Sequence, residues 1–252
     1  MRTVSTPSGT IGCAAGLDEL RLPQERSPLV SICGGIEQGM KTLYEPTCIA
    51  VEVPKRPQAH PSLLNAFVSD CPEFSIHFVD GDSAAFRSLF HTELRQYGAS
   101  IPLRELLVDH ISGMFQAFRD ASPGSSREAF LILRRPRSRA HWHIDHYRPG
   151  AEQFVATLAG YPTTPFLLPG DYDRQEFERY RSQISRRELE CHGLSPEDTA
   201  LHHLKVGMNQ LAQGVAPRFV GGDLLFKGSE LFHATPKSPV SRLIFAMSAA
   251  LR

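Results

Sequence analysis

The sequence predicts an α+β protein with a mainly β core, a small jelly-roll barrel carrying packing helices ahead of its strands and a helical insertion among them. Amphipathic helical spacing fills the region before about residue 120. After Ser122-Pro123-Gly124 the texture changes to short apolar runs bounded by Pro, Gly and Arg. That series is broken once, by a charged stretch over 171–212, and then resumes. Helices first and many short strands later are the pattern of a rolled sheet with helices outside it.

The elements follow in order. Residues 1–40 are rich in Ser, Gly and Pro with weak periodicity, and read as a loosely ordered arm. Residues 41–252 read as a single domain, since a chain of 252 residues can bury a sizeable core. Cys48 to Val53 has the look of a strand, stopped by Pro54. Residues 84–97 place Phe86, Leu89, Phe90 and Leu94 at helical spacing. Residues 102–120 do the same with Leu103, Leu107, Ile111, Met114 and Phe118. Such stripes are packing faces, and they form the helical support over about 84–120. Barrel strands are predicted over about 129–170 (130–134, 142–147, 153–158 and 165–168) and 220–250 (223–227, 231–234 and 242–248). Within the insertion, 171–191 and 196–212 read as helices.

Composition narrows the function. Lys plus Arg and Asp plus Glu number 27 each, a net charge of +0, so no global field draws nucleic acid or anionic membrane. No apolar run approaches the ~20 residues that span a bilayer. The N-terminus lacks the apolar core of a signal peptide. The 5 cysteines, Cys13, Cys33, Cys48, Cys71 and Cys191, are scattered without a CxxC pair, which fits free thiols in a reducing cytoplasm. The partner expected is a small molecule, with neither membrane nor nucleic acid; oligomeric state is left open.

His143-Ile144-Asp145 carries the chemistry. A strand projects i and i+2 to one face, so His143 and Asp145 point together into the barrel, with His141 and Tyr147 on that side and Trp142, Ile144 and His146 on the other. With His233 they supply two imidazoles and a carboxylate, a set that holds a divalent iron on one face and leaves the opposite positions open. Alone, an HxD pair is weak: with 11 histidines in 252 residues one arises by chance about half the time, and a surface strand explains it as well. The later segment adds weight. Gly222 to Gly228 reads as turn, buried strand and turn; His233 follows, and Arg242 opens the apolar strand RLIFAMSAAL, where it could anchor an acidic co-substrate.

Arg134, Arg135, Arg137 and Arg139 surround Pro136 and read as a solvated turn, except that alternation turns Arg134 inward, toward substrate or a structural pair. Lys227 is a candidate second anchor for a carboxylate. His141 borders the site, and Tyr147 packs there with a hydrogen-bonding hydroxyl. His146, His192, His202 and His203 read as surface residues. No G-x-S-x-G elbow, Walker A loop or G-x-G-x-x-G fingerprint is present.

At these residues the chain resembles the iron(II)/2-oxoglutarate-dependent dioxygenase superfamily. Its members use a double-stranded β-helix with an HxD…H triad, and a basic residue beyond the distal His binds the far carboxylate of 2-oxoglutarate. His143, Asp145, His233 and Arg242 match in order and approximate spacing. The resemblance implies Fe(II) as metal, 2-oxoglutarate as co-substrate and oxidation of a small molecule by O2. It also implies hydroxylation, desaturation or another oxidation over halogenation, because related halogenases replace the carboxylate that Asp145 retains. Some related oxygenases use a lysine as anchor, which is the case for Lys227. A closer resemblance, over roughly 100–252, is to a bacterial family described only as a domain of unknown function. Its segments match Leu133-Arg134, His143-Ile144-Asp145, the Gly160 to Thr163 turn, Gly222 to Gly228, the His233 to Pro236 turn and Arg242-Leu243-Ile244. One departure stands out. Many oxygenases of the superfamily carry Ser or Thr two residues after the anchoring arginine, and here that residue is Ile244. Two alternatives therefore stay open: an iron oxygenase that does not use 2-oxoglutarate, and a non-catalytic metal-binding or metal-sensing cupin-like protein.

Overall fold

Strand pairing sorts the chain into two sheets. The computed structural model describes residues 28–32, 34–57, 60–122, 126–136, 141–145, 150–160, 164–190, 199–235 and 238–250. The strands are β1 (Leu29–Ser31), β2 (Ala50–Val53), β3 (Phe74–Val79), β4 (Ser126–Arg134), β5 (His141–His143), β6 (Ala151–Ala159), β7 (Phe166–Leu167), β8 (Asp223–Lys227), β9 (Phe232–Thr235) and β10 (Arg242–Ala250). Seven form a large sheet in the order β1-β2-β8-β6-β10-β4-β3, and three form a small one, β5-β9-β7. All neighbours are antiparallel except β1 and β2. From β4 onward, successive strands alternate strictly between the sheets: β4, β6, β8 and β10 in the large one, β5, β7 and β9 in the small one.

Helices α1 (Ile36–Leu43), α2 (Pro61–Asp70), α3 (Ser83–Gln96) and α4 (Ile101–Ala121) precede β4, and α5 (Arg174–Glu190) and α6 (Thr199–Gln210) fall between β7 and β8. Local chemistry sets their limits. Asp82 caps α3 by accepting from the Ala85 amide at 2.8 Å. Gly98, at φ +77°, follows its end, where a side chain would be strained. Pro102 sits in the first turn of α4, where its missing N–H leaves no helical bond unmade.

Three apolar clusters define the layers. On one face of the large sheet, Val53, Phe154, Leu225, Phe245 and Leu131 pack against α1 to α4 through Met40, Leu64, Phe86, Leu107 and Phe115. The Phe86 and Phe115 rings stack there with centroids 4.3 Å apart. Between the sheets, Ala50, Leu224 and Phe226 meet Phe166 and Leu231. Beyond the small sheet, Leu167, Phe232 and Ile144 pack against Phe177 and Ile184 of α5 and Met208 of α6. The order is helices, large sheet, small sheet, helices.

This is a mixed α/β architecture dominated by its sheets, and several expectations change in it. Residues 28–40 are not a loose arm where described: Leu29–Ser31 pairs with β2, and Ile36, Met40 and Leu43 of α1 enter the core. Residues 1–27 lie outside the described residues. Helix α2 and strand β3 fall where the sequence predicts no element. The insertion, as α5 and α6, packs on the far side of the small sheet. The strand expected over 142–147 ends at His143, and 146–149 lie outside the described residues. Among the described residues no helix is long and apolar enough to cross a membrane.

Candidate metal centre

His143 ends β5 and His233 lies directly across from it on β9. Partners in an antiparallel ladder project to the same face, and these rings lie 4.5 Å apart between centroids, tilted by 54°. Alternation decides which face. Trp142, Ile144 and Phe232 turn toward α5 and α6, so His143 and His233 turn toward the large sheet. There the Phe226 ring stands 5.0 Å from His233. The alternation outlasts the strand itself. Ile144 is buried on the helical side, and the next residue, Asp145, returns to the histidines. Its carboxylate oxygens lie 3.6 Å from His143 Nε2 and 3.4 Å from His233 Nε2.

One ligand atom from each of His143, Asp145 and His233 lies within 4.8 Å of the others. Donors about 2.1 Å from an ion and at right angles would be about 3.0 Å apart, so modest side-chain rotation brings this set onto one face of an ion. His233 is oriented for that role. Its Nδ1 is 3.2 Å from the Leu231 carbonyl, which can only accept, so Nδ1 carries a proton and Nε2 is the atom left for a metal. Burial, the largest single influence, pushes the His233 pKa down. The Asp145 charge, its hydrogen bond and the Leu231 carbonyl together outweigh it, and the pKa is raised. Beside Asp145 the ring is thus easier to protonate, and a divalent ion at Nε2 would compete with that proton.

Arg242, the first residue of β10, is 3% exposed. Leu243 and Phe245 face the helices, so Arg242 faces the space between the sheets. Its Nη2 donates to Thr157 Oγ1 at 3.0 Å. Thr157 is itself the cross-strand partner of Ile244. Arg134 lies directly opposite Arg242 in the ladder and shares its face, which puts two guanidinium-bearing positions side by side. Buried Gln153 and Ser248 continue the polar lining of that face.

Other candidates are not brought to this place. Lys227 pairs with Glu152 on the opposite face of the large sheet, and its Nζ donates to the Glu45 carbonyl at 3.4 Å. An odd step along β8 from Phe226 puts it on the helical side, so it does not reach the triad's side of the sheet. His141 pairs with Thr235 through its backbone, but its side chain, like all of Tyr147, lies outside the described residues. Arg135 is structural: its amide donates to Glu73 at 2.7 Å and its guanidinium to the Ser69 carbonyl at 3.1 Å. Arg137, Arg139, His146 and His192 are outside the described residues, and His202 and His203 are exposed on α6. Sequence reading missed Thr157 and Phe226. Both strands carrying them are buried on two sides, so no polar–apolar period marks their inward residues.

No family profile matches the sequence, and no curated protein matches it. Solved structures give loose likenesses. A Pseudomonas putida prolyl-4-hydroxylase is 11% identical, with 79% of this chain and 98% of that one covered at a TM-score of 0.34. An N-substituted L-amino acid dioxygenase from Burkholderia ambifaria is 12% identical, covers 84% and 86%, and reaches 0.39. HygX from Streptomyces hygroscopicus, with nickel and 2-oxoglutarate bound, is 15% identical, covers 77% and 88%, and reaches 0.34.

Proposed function

We propose that this chain is a non-haem iron(II) oxygenase that uses 2-oxoglutarate and O2 to hydroxylate or otherwise oxidise a small molecule. The observation that carries the reading is the cross-strand pair His143 and His233 with Asp145 folded between them, facing inward between two sheets. The strict alternation of strands from β4 to β10 supports a double-stranded β-helix as the frame, since a chain wound that way visits its two walls in turn. His143, Asp145 and His233 would hold the iron, which when bound supplies the oxygen chemistry that side chains cannot.

The rest is the work of the protein. Asp145 is anionic and the two neutral imidazoles are not, so the set cancels only part of a divalent charge and favours an anionic co-substrate beside it. Arg242 would receive the far carboxylate of 2-oxoglutarate through its planar pair of donors. The hydroxyl absent at Ile244 is supplied from the neighbouring strand by Thr157, already in hydrogen-bond contact with Arg242. This favours 2-oxoglutarate over an oxygenase that dispenses with it. Arg134 would meet a negatively charged end of the substrate. Phe226 and Phe166 keep water from the inner side of His233.

The test is anaerobic loading with Fe(II), followed by 2-oxoglutarate binding and then by O2-dependent formation of succinate. Metal content that is unchanged in His233→Ala would remove the assignment. A loaded protein that binds metal but neither binds nor consumes 2-oxoglutarate would leave the two alternatives, an iron oxygenase that does not use 2-oxoglutarate and a metal-binding or metal-sensing protein.

A further inference from the structure

A second cavity lies on the opposite side of the large sheet from the triad, among α1, α4 and the start of β8. It has a volume of about 240 Å³, room for several waters or a small organic molecule. Asp223 lines it. This side chain is 5% exposed, and among the described residues it makes no hydrogen bond and no ion pair. A buried carboxyl without a partner is costly, and such groups are rare unless something completes them. Gly222 brings it there: a Cβ at that position would stand 2.2 Å from the Val53 carbonyl, so only glycine lets β8 begin this close to β2.

Facing Asp223 are groups of the opposite character. Lys55 and Arg56, on the segment after β2, also line the cavity, and both act on Asp223 through their charge without forming an ion pair with it. The N-terminus of α1 opens onto the same space, where Gly35 provides no capping side chain, so first-turn amides point outward with the positive end of the helix. The remaining wall is apolar, with Ile36, Val53, Met114 and Phe154. One acceptor, a set of donors across from it, and a greasy floor between them make up the cavity.

We propose that this cavity binds a small zwitterion with an apolar side chain, an α-amino acid. The ligand's ammonium would meet Asp223, its carboxylate would meet Arg56, Lys55 and the α1 amides, and its side chain would lie on Met114 and Phe154. Neither charge alone satisfies the cavity: a simple anion would face the Asp223 carboxylate, and a simple amine would face two cations and the helix end. The site is separate from the metal centre, because β8 turns Asp223 to one side of the sheet and Phe226 to the other.

The test uses the full chain carrying His233→Ala, so that any ligand seen is not held by the metal site. Calorimetry with L-leucine, isocaproate (leucine without its ammonium) and isoamylamine (leucine without its carboxylate) should show leucine binding at least roughly tenfold more tightly than either. Asp223→Asn should lower leucine to the level of isocaproate. Arg56→Ala, a change at a half-buried side chain outside the apolar core, should weaken leucine and isocaproate alike. The proposal is overturned by no leucine binding at about 10 mM, by equal binding of leucine and isocaproate, or by leucine binding indifferent to both substitutions.

Discussion

Replacing Asp223 with asparagine keeps the shape of the side chain and removes its charge, and the consequence can be worked out. Burial pushes the carboxyl up from 3.8 to about 7, against the pull of Lys55 and Arg56. The folded state thus holds this proton more tightly than the unfolded chain does. Its contribution to stability is fully present below 3.8 and is lost as pH rises through about 7. Roughly three pH units at about 1.36 kcal/mol each give a swing of about 4 kcal/mol. Asparagine does not titrate. Asp223→Asn should therefore gain about 4 kcal/mol relative to the parent between about pH 4 and about pH 8, or roughly 10 °C in melting temperature for a chain of this size. Thermal or urea melts of both proteins at the two pH values give the double difference. Buried Glu152, also pushed up by burial, and His110, pushed down, titrate in both proteins and cancel. A difference between the proteins that is the same at both pH values would refute the reasoning, because it would show that Asp223 is not an ionisable group held away from water.

Other consequences are as direct. His233→Ala and Asp145→Ala should each lose stoichiometric Fe(II), read as metal content after gel filtration, with the fold retained by circular dichroism. Metal affinity should fall on acidification, beginning above the ordinary histidine value near 6.5 because Asp145 raises the His233 pKa; proton release on loading measures it. Thr157→Val should weaken 2-oxoglutarate binding by roughly tenfold to a hundredfold, the worth of about 1.5–3 kcal/mol for a hydrogen bond to a charged group. Thr157→Ser should restore it, and equal affinities in all three proteins would exclude the hydroxyl. Gly222→Ala should cost roughly 1–3 kcal/mol, seen in melts, because its methyl would strike the Val53 carbonyl.

The triad could be read in the sequence because its geometry is local on one side. The i and i+2 relation of His143 and Asp145 is a property of extended backbone, and it survives even where β5 ends. That His233 faces His143 across a ladder is a long-range fact, foreshadowed by the turn-strand-turn of Gly222 to Gly228. Helices α3 and α4 were legible from their stripes, whereas α1 has only Ile36, Met40 and Leu43 to mark it, too few turns to stand above a glycine-rich background. Lys227 misled because its residue type suits a carboxylate, and only the burial of Phe226 on the inner side decides which way it points. Thr157 and Asp223 were silent for a shared reason: each sits in a strand covered on both faces, so nothing in the local pattern marks a polar side chain facing a space.

The candidate metal ligands lie on or just after strands of the small sheet, while Arg242 and Thr157 belong to the large one. What sets the distance between them is neither ligand nor arginine but the wedge of Phe166, Leu224, Phe226 and Leu231 that spaces the two walls. Trimming one of those side chains would shift a wall and leave every polar group intact. Divergent chains could thus retune reach, and with it the size of molecule admitted, by exchanging oily spacers alone.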